Sequence, residues 1–208
     1  MFCPKCKKDN QAIAKFCVTC GYCFSMEKQA APAAHDSDFY VKRGKLCLFA
    51  ETKQLDDALA DFNTAINLNP GNDSAYFFRG MTHQNKKQYD NALADYNKAI
   101  ELNSLHAEAH MGRGFVFSIL ENYDQAVAEF TVAIKMNPKH YQRYRYRGDA
   151  YCDSMDYRRA LTDYKKALKL NPDYAEAHIG LACVYSVQNR LEEACEYLKI
   201  ALEKGYKE

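Results

Sequence analysis

The sequence lacks long apolar runs and a surplus of charge of either sign. No stretch approaches the ~20 consecutive apolar residues that a membrane helix needs, and the opening Met-Phe-Cys-Pro does not resemble a signal peptide. The formal net charge is +1, so no overall field draws the chain to nucleic acid or to anionic lipid. We therefore expect a folded chain without a membrane segment.

Catalytic motifs are also lacking. The sequence contains no glycine-rich phosphate loop, no His-Glu-x-x-His and no convincing pairing of a nucleophile with a base. The six histidines are spread along the chain, and His110 and His178 occupy a repeated aromatic position where core packing explains them. We expect no enzyme activity.

Cysteine is present in an uneven pattern. Nine cysteines are an odd number, so a full set of disulfides would leave one thiol over. Five of them cluster between residues 3 and 23, which indicates a metal site. The others are isolated, as is typical of small core side chains in a reducing compartment, so we expect a cytoplasmic protein; they are Cys47, Cys152, Cys183 and Cys195.

An internal repeat is the main feature of the chain. The segments that begin at Ser37, Asp73, Ala107, Tyr141 and Ala175 align with one another, and the last four are spaced 34 residues apart. The first copy is two residues longer. The additional residues fit between residues 44 and 58, where we expect a turn between two helices.

Small and large side chains recur at fixed positions of the repeat. The eighth residue is glycine in four copies and Ala182 in the fifth, and the twentieth and twenty-seventh are alanine in all five. Small side chains at such positions let two helices approach to about 8 Å. Aromatic or other large residues lie between them, and Asn-Pro at 69–70, 137–138 and 171–172 ends the second helix.

This pattern resembles the tetratricopeptide repeat over residues 37–208, with copies at 37–72, 73–106, 107–140, 141–174 and 175–208. The resemblance implies an all-α fold in which each repeat is a helix A, a turn and a helix B. The five hairpins would stack into a right-handed α-solenoid with helix A on the inner face.

Two further positions vary together. The seventh residue is arginine and the twenty-third is aspartate or glutamate in four repeats, whereas both are apolar in the fifth. We predict an ion pair between helices A and B in those four repeats and a hydrophobic contact in the fifth; separately solvated charges are the alternative. The pairs are Arg43–Asp61, Arg79–Asp95, Arg113–Glu129, Arg147–Asp163 and Leu181–Tyr197.

The N-terminal cysteines form two Cys-x-x-Cys pairs, Cys3–Cys6 and Cys17–Cys20. Four thiolates at this spacing suit tetrahedral zinc and leave no open position for catalysis. Residues 1–24 resemble the short zinc ribbons at the start of many prokaryotic proteins, which implies one structural zinc ion. An iron–sulfur cluster that uses Cys23 and a redox disulfide are the alternatives.

Residues 25–36 contain a run of small residues, which predicts a flexible linker. Lysines crowd the predicted ribbon, and they either offset the negative charge of a zinc–thiolate centre or contact nucleic acid. The lysines are Lys5, Lys7, Lys8, Lys15 and Lys28.

The tetratricopeptide resemblance also implies where a ligand would bind, mainly at the second, fifth, ninth, twelfth and thirteenth residues of helix A. We expect Phe77, Met81, Met111 and Phe115 to form an exposed apolar centre that grips a helix or an extended peptide. The ribbon, the linker or a second copy of the chain could instead fill this groove. The predicted groove comprises Val41, Lys45, Leu48, Phe49, Phe77, Met81, Gln84, Asn85, Met111, Phe115, Ile119, Arg145, Asp149, Ile179 and Cys183. The remaining positions of the same set are Asp38, Ser74, Glu108, Ser118, Gln142, Cys152, Asp153, Glu176, Ser186 and Val187, and the fourth repeat is its polar part.

The sequence thus predicts a non-catalytic adaptor that binds a partner protein in the groove, with the zinc ribbon as a second contact. A nucleic-acid-associated factor, whose basic ribbon touches RNA or DNA, is the alternative. Apolar residues near the end, including Cys195, Leu198 and Ile200, also suggest self-association through the last repeat.

Overall fold

The computed structural model describes residues 36–50 and 54–206. These residues form ten helices and no strand, as the all-α prediction requires. The helices are α1 (Ser37–Phe49), α2 (Leu55–Leu68), α3 (Asp73–Asn85), α4 (Tyr89–Leu102), α5 (Ala107–Ile119), α6 (Tyr123–Met136), α7 (Tyr141–Asp153), α8 (Tyr157–Leu170), α9 (Ala175–Val187) and α10 (Leu191–Glu203).

The odd-numbered helices are the A helices, and each begins at the residue with which the sequence alignment starts a repeat. Three residues separate helix A from helix B in the last four repeats, and five separate α1 from α2. The additional length of the first repeat therefore lies between Phe49 and Leu55.

Asparagine, more than proline, organises the turn after helix B. The residue after α2, α4, α6 and α8 is Asn69, Asn103, Asn137 or Asn171, and its N–H donates to the alanine carbonyl four residues earlier. Its side-chain oxygen accepts the N–H two residues later. The turn therefore forms equally well after Asn103, where serine replaces proline.

The turn between helices A and B uses the left-handed backbone region. Its middle residue has φ of 58–62° in four repeats, at Lys87, Glu121, Met155 and Asn189. In the fourth repeat the N–H of Asp156 donates to the carbonyl of Tyr151 at 2.8 Å, which closes a C-terminal cap on α7. None of the four residues is glycine and only Asn189 is asparagine, so in the other three repeats the sequence carried no signal for this conformation.

The chain forms two compact units, one ending at Ala109 and the other beginning at His110, within α5. In the first unit α1 packs on α2 and α3 on α4; in the second α7 packs on α8 and α9 on α10. In each of the first four repeats the seam between helix A and helix B is centred on a large ring that is almost fully buried. These rings are Phe62, Tyr96, Phe130 and Tyr164.

The eighth residue of the repeat is glycine because the ring of helix B lies directly against it. A Cβ at Gly114 would lie 2.6 Å from the Phe130 ring, and one at Gly148 would lie 2.8 Å from Tyr164. Where the residue is Ala182, the opposing ring is replaced by Leu198. The small-to-large complementarity inferred from the sequence is confirmed.

The four predicted ion pairs between helices A and B are present. Arg79, Arg113 and Arg147 each place a guanidinium nitrogen 2.6–2.7 Å from the carboxylate, and Arg43 bonds Asp61 in the same way. The three aspartates are only 6% exposed. In the fifth repeat Tyr197 packs on the core cluster that contains Leu181. The four ion pairs are confirmed, and the fifth repeat has both side chains in one apolar cluster.

Several predictions lie outside the described residues. The four cysteines of the zinc ribbon, Cys23, the lysines around them and the linker all fall before residue 36. The zinc ribbon and the nucleic-acid alternative therefore stay predictions. Within the described part of the chain, no helix is both long enough and apolar enough to cross a membrane.

Candidate functional site

Many of the predicted groove residues on the A helices of the first unit are buried. Val41 and Leu48 are buried at 7% and 1% exposure. Lys45 places its ammonium 4.6 Å from the centre of the Phe78 ring, which holds the lysine along the surface. Phe49 is exposed and meets the same ring edge-on.

Phe77 and Met81 do not form an exposed apolar centre. Phe77 is buried and contacts the rings of Tyr96 and His106. Met81 packs on the core cluster of Leu48 and Phe62. Two polar neighbours also serve the fold, since Gln84 accepts a hydrogen bond from Tyr96 at 2.7 Å and Asn85 donates to the carbonyl of Met81.

The same correction applies to the start of the second unit. Met111 is buried in a cluster with Phe130 and Ala150, and Phe115 packs on Phe130 and Tyr146. The expectation of a freely exposed apolar lining was wrong for these residues, because the fifth and ninth positions of helix A also contact neighbouring helices. Ile119 is 49% exposed.

The predicted residues of the fourth and fifth repeats do come together around a cavity. Arg145 and Asp149 on α7 and Ile179 and Cys183 on α9 line a space of about 280 Å³. All four were predicted from their positions in helix A. The remaining lining residues are Cys152, Asp153, Tyr164, Glu176, Gly180 and Tyr206.

Asp149 is held by two hydrogen bonds from different elements. Arg145, one turn earlier, donates to Oδ2 at 2.5 Å, and the hydroxyl of Tyr164 on α8 donates to Oδ1 at 3.0 Å. Arg145 also donates to the hydroxyl of Tyr174 and lies 4.1 Å from the Tyr146 ring centre. The arginine is thereby fixed on one wall, with its charge directed at Asp149.

Burial changes the acid–base behaviour of this wall. It raises the pKa of Asp149, although Arg145 and the Tyr164 hydroxyl act in the opposite direction. Burial also raises the pKa of Asp153, and burial together with Asp153 raises the pKa of the Cys152 thiol. Cys152 therefore stays a neutral thiol near pH 7 rather than a reactive thiolate.

The cavity carries more negative than positive charge. Arg145 is paired with Asp149, which leaves the carboxylates of Asp153 and Glu176 without an opposing charge among the lining residues. Ile179 and the two cysteines supply an apolar surface beside these carboxylates. The arrangement suits a cationic side chain with an apolar stem.

A second cavity of about 480 Å³ adjoins the first, because Glu176 and Tyr206 line both. It includes Gln142, which was predicted from the second position of α7. Lys204 on its rim lies 2.5 Å from Asp173. The two cavities extend the candidate surface along the beginnings of α7 and α9.

Sequence reasoning missed the tyrosines of this surface. Tyr164 was assigned to packing between helices, and its hydroxyl also reaches the cavity. Tyr206 follows α10 where asparagine and proline end the earlier repeats, and its N–H donates to the carbonyl of Ala201. The signal in the sequence was its alignment with the proline of the earlier Asn-Pro turns, which places Tyr206 in the turn after α10.

Family models identify the helix pairs as tetratricopeptide repeats. Models described as tetratricopeptide repeat match residues 74–104 and 107–140, and one described as TPR repeat matches residues 148–189. The chain therefore contains tetratricopeptide repeats.

Solved structures show the same fold at low sequence identity. MamA (41-end) from Desulfovibrio magneticus RS-1 is 18% identical, with a TM-score of 0.73 over 83% of this chain and 97% of that one. PilF of Pseudomonas aeruginosa is 17% identical, with a TM-score of 0.74 over 83% and 78%. YrrB, described as a TPR protein with an unusual peptide-binding site, is 21% identical, with a TM-score of 0.66 over 82% and 87%. The comparison with curated proteins found no match.

Proposed function

We propose that this protein is a non-catalytic scaffold that binds a segment of a partner protein on the surface formed by α7 and α9. The observation that carries the proposal is the cavity in which two unopposed carboxylates lie beside an apolar wall. The description of YrrB as having a peptide-binding site supports peptide recognition as a use of this fold.

The partner segment carries lysine or arginine next to an apolar residue. The cationic head would pair with Asp153 or with Glu176, and the stem would lie along Ile179. Arg145 is already paired with Asp149 and bonded to Tyr174, so its charge leaves these two carboxylates available to the partner.

Selection of random peptides by display on the purified full chain tests this proposal. The selected peptides should be enriched in lysine or arginine, and the tightest one then serves as a synthetic probe for calorimetry. Glu176→Lys and Asp153→Lys should each weaken its binding about tenfold or more, because a charge-assisted hydrogen bond contributes ~1.5–3 kcal/mol.

Glu121→Lys is the matched control, since Glu121 is exposed outside the cavity and the corresponding residue of the second repeat is Lys87. It reproduces the charge change without touching the surface. Peptides without basic residues, or equal losses in all three variants, would contradict this assignment of the binding site.

We also propose that Cys3, Cys6, Cys17 and Cys20 bind one structural zinc ion and that this ribbon provides a second contact with partners. The support is the spacing of the two Cys-x-x-Cys pairs in the sequence. Zinc would supply the folding free energy that so short a segment cannot obtain from a core.

Elemental analysis of the purified chain tests the metal. About one zinc per chain is expected, and Cys17→Ser should abolish it, whereas Cys195→Ser, at an exposed helical cysteine, should not. Iron with a visible absorption band, or a metal-free chain with oxidised cysteines, would refute the zinc assignment.

A further inference from the structure

An apolar stripe on α10 is left uncovered by the described residues. Leu191, Leu198 and Leu202 are 59%, 46% and 53% exposed, and Cys195 between them is exposed as well. Their spacing of four, three and four residues places them on one face of the helix. Monomeric soluble proteins rarely leave such a row of side chains open to water.

The second unit shows which element covers the corresponding face of a B helix. The corresponding residues of α8 are Tyr157, Leu161, Tyr164 and Leu168. They pack on a cluster that includes Leu181, Val184 and Tyr185 of α9. An A helix is therefore the element that covers this face of a B helix.

The first unit gives the same result independently. On α2 the corresponding face contains Leu55, Phe62 and Ile66, and Phe78 of α3 packs on the clusters that contain Phe62 and Ile66. The rings of Phe62 and Phe78 stack with their centres 6.0 Å apart. The covering helix is again the A helix that follows in the chain.

The matching face of the A helix α1 is also left uncovered by the part of the chain that the structure describes. The tenth residue of helix A is buried in α3, α7 and α9, as Thr82, Ala150 and Val184. In α1 this residue is Leu46, which is 40% exposed, and Lys42 one turn earlier is also exposed.

Size and charge fit these two faces to each other. The sixth residue of helix A contacts the central side chain of the B helix, as Gly180 does with the ring of Tyr164. On α10 the central side chain is the smaller Leu198, which leaves room for the stem of Lys42. Beside the stripe α10 carries the exposed Glu192, Glu196 and Glu203 together with the exposed Lys199, and the surplus of negative charge complements Lys42.

We propose that a second copy of this chain covers the α10 stripe with its α1 helix, so that α1 follows α10 as α9 follows α8. The contact joins two different surfaces, the α10 stripe of one copy and the α1 face of the other. In a dimer one α10 stripe and one α1 face therefore remain free. Further copies can therefore add at either end.

Sedimentation of the purified full chain at increasing concentration tests this contact. The wild-type mean mass should rise above that of a monomer. Leu198→Glu and Leu46→Glu should each raise the dissociation constant at least about tenfold, because a charge would be placed in the apolar contact. Leu105→Glu is the control, since Leu105 is 76% exposed in a loop that belongs to neither face, and this variant should associate as the wild type does.

Mixing the two interface variants distinguishes a contact between α10 and α1 from a contact between two α10 or two α1 surfaces. Leu198→Glu retains an intact α1 and Leu46→Glu an intact α10, so an equal mixture should form dimers and nothing larger. This recovery also shows that both variants are folded. A wild type that stays monomeric, a Leu46→Glu chain that associates normally, or a mixture that stays monomeric would each overturn the proposal.

Discussion

The hydroxyl of Tyr164 donates a hydrogen bond to Oδ1 of Asp149 at 3.0 Å. The same ring fills the seam beside Gly148. One residue of helix α8 therefore belongs to the core of the second unit and also fixes a carboxylate at the candidate binding surface.

Tyr164→Phe should separate these two roles. The ring remains, so the free energy of unfolding should fall by only about 1 kcal/mol. The hydroxyl lowers the pKa of Asp149, which burial raises; its loss should therefore raise that pKa further. A titration of the Asp149 carboxyl by NMR measures the change, and an unchanged pKa would show that the hydrogen bond does not form.

The raised pKa of Asp149 makes its contribution to stability depend on pH. The folded state binds the proton more tightly than the unfolded state, so this contribution is full below the ordinary aspartate pKa and is lost as the pH rises through the raised value. The stability of the wild type relative to Asp149→Asn should thus increase on acidification. Urea unfolding of both proteins at several pH values checks the direction; the opposite slope would contradict the shift.

Gly114→Ala should destabilise the protein by about 1–3 kcal/mol, because the added methyl would lie 2.6 Å from the Phe130 ring. Helix propensity alone would give the opposite sign. Adding Phe130→Leu reproduces the Ala182–Leu198 pair of the fifth repeat. The double variant should lose less free energy than the two single variants together, as measured by denaturant unfolding.

Arg147→Leu should lower the free energy of unfolding by about 3 kcal/mol, since it leaves the buried carboxylate of Asp163 unpaired. Adding Asp163→Tyr recreates the Leu181–Tyr197 contact and should recover most of this loss. Arg158→Leu, at an exposed arginine of α8, is the control and should change stability by less than about 0.5 kcal/mol. Losses that simply add would argue against coupling between the two positions.

Met155→Gly should raise the free energy of unfolding by about 0.5–1 kcal/mol, because Met155 has a φ of 62° and is exposed. Lys165→Gly, inside α8, should lower it by about 1 kcal/mol. Thermal unfolding of the two variants compares them directly. A destabilised Met155→Gly would show that the methionine side chain stabilises the turn.

The helix starts at Ser37 and Tyr141 and the pairing of Arg147 with Asp163 were predictable, because repetition shows which features of a helix pair are retained. The arginine of the seventh position and the carboxylate of the twenty-third are both replaced in the fifth repeat, which indicates that the two positions are in contact. The left-handed residues were not predictable, because Lys87 and Met155 lack the glycine or asparagine that usually marks that conformation.

The position of the cavity lining was predictable from the sequence, whereas the exposure of the other A-helix residues was not. Arg145, Asp149, Ile179 and Cys183 do line one cavity, because their spacing places them on one side of α7 and α9. Phe77 and Met111 have the corresponding spacing and are nevertheless buried, because their length lets them reach neighbouring helices.

The sequence by itself determined where each helix pair begins, which small residue faces which large one, and which charges pair. These properties depend on spacing along a helix and recur from copy to copy, except that an apolar pair replaces the ion pair in the fifth. Only the tertiary structure decided which side chains stay open to a partner. That exposure depends on the helix that covers each residue: α9 covers the stripe on α8, whereas the same stripe on α10, from Leu191 to Leu202, remains open.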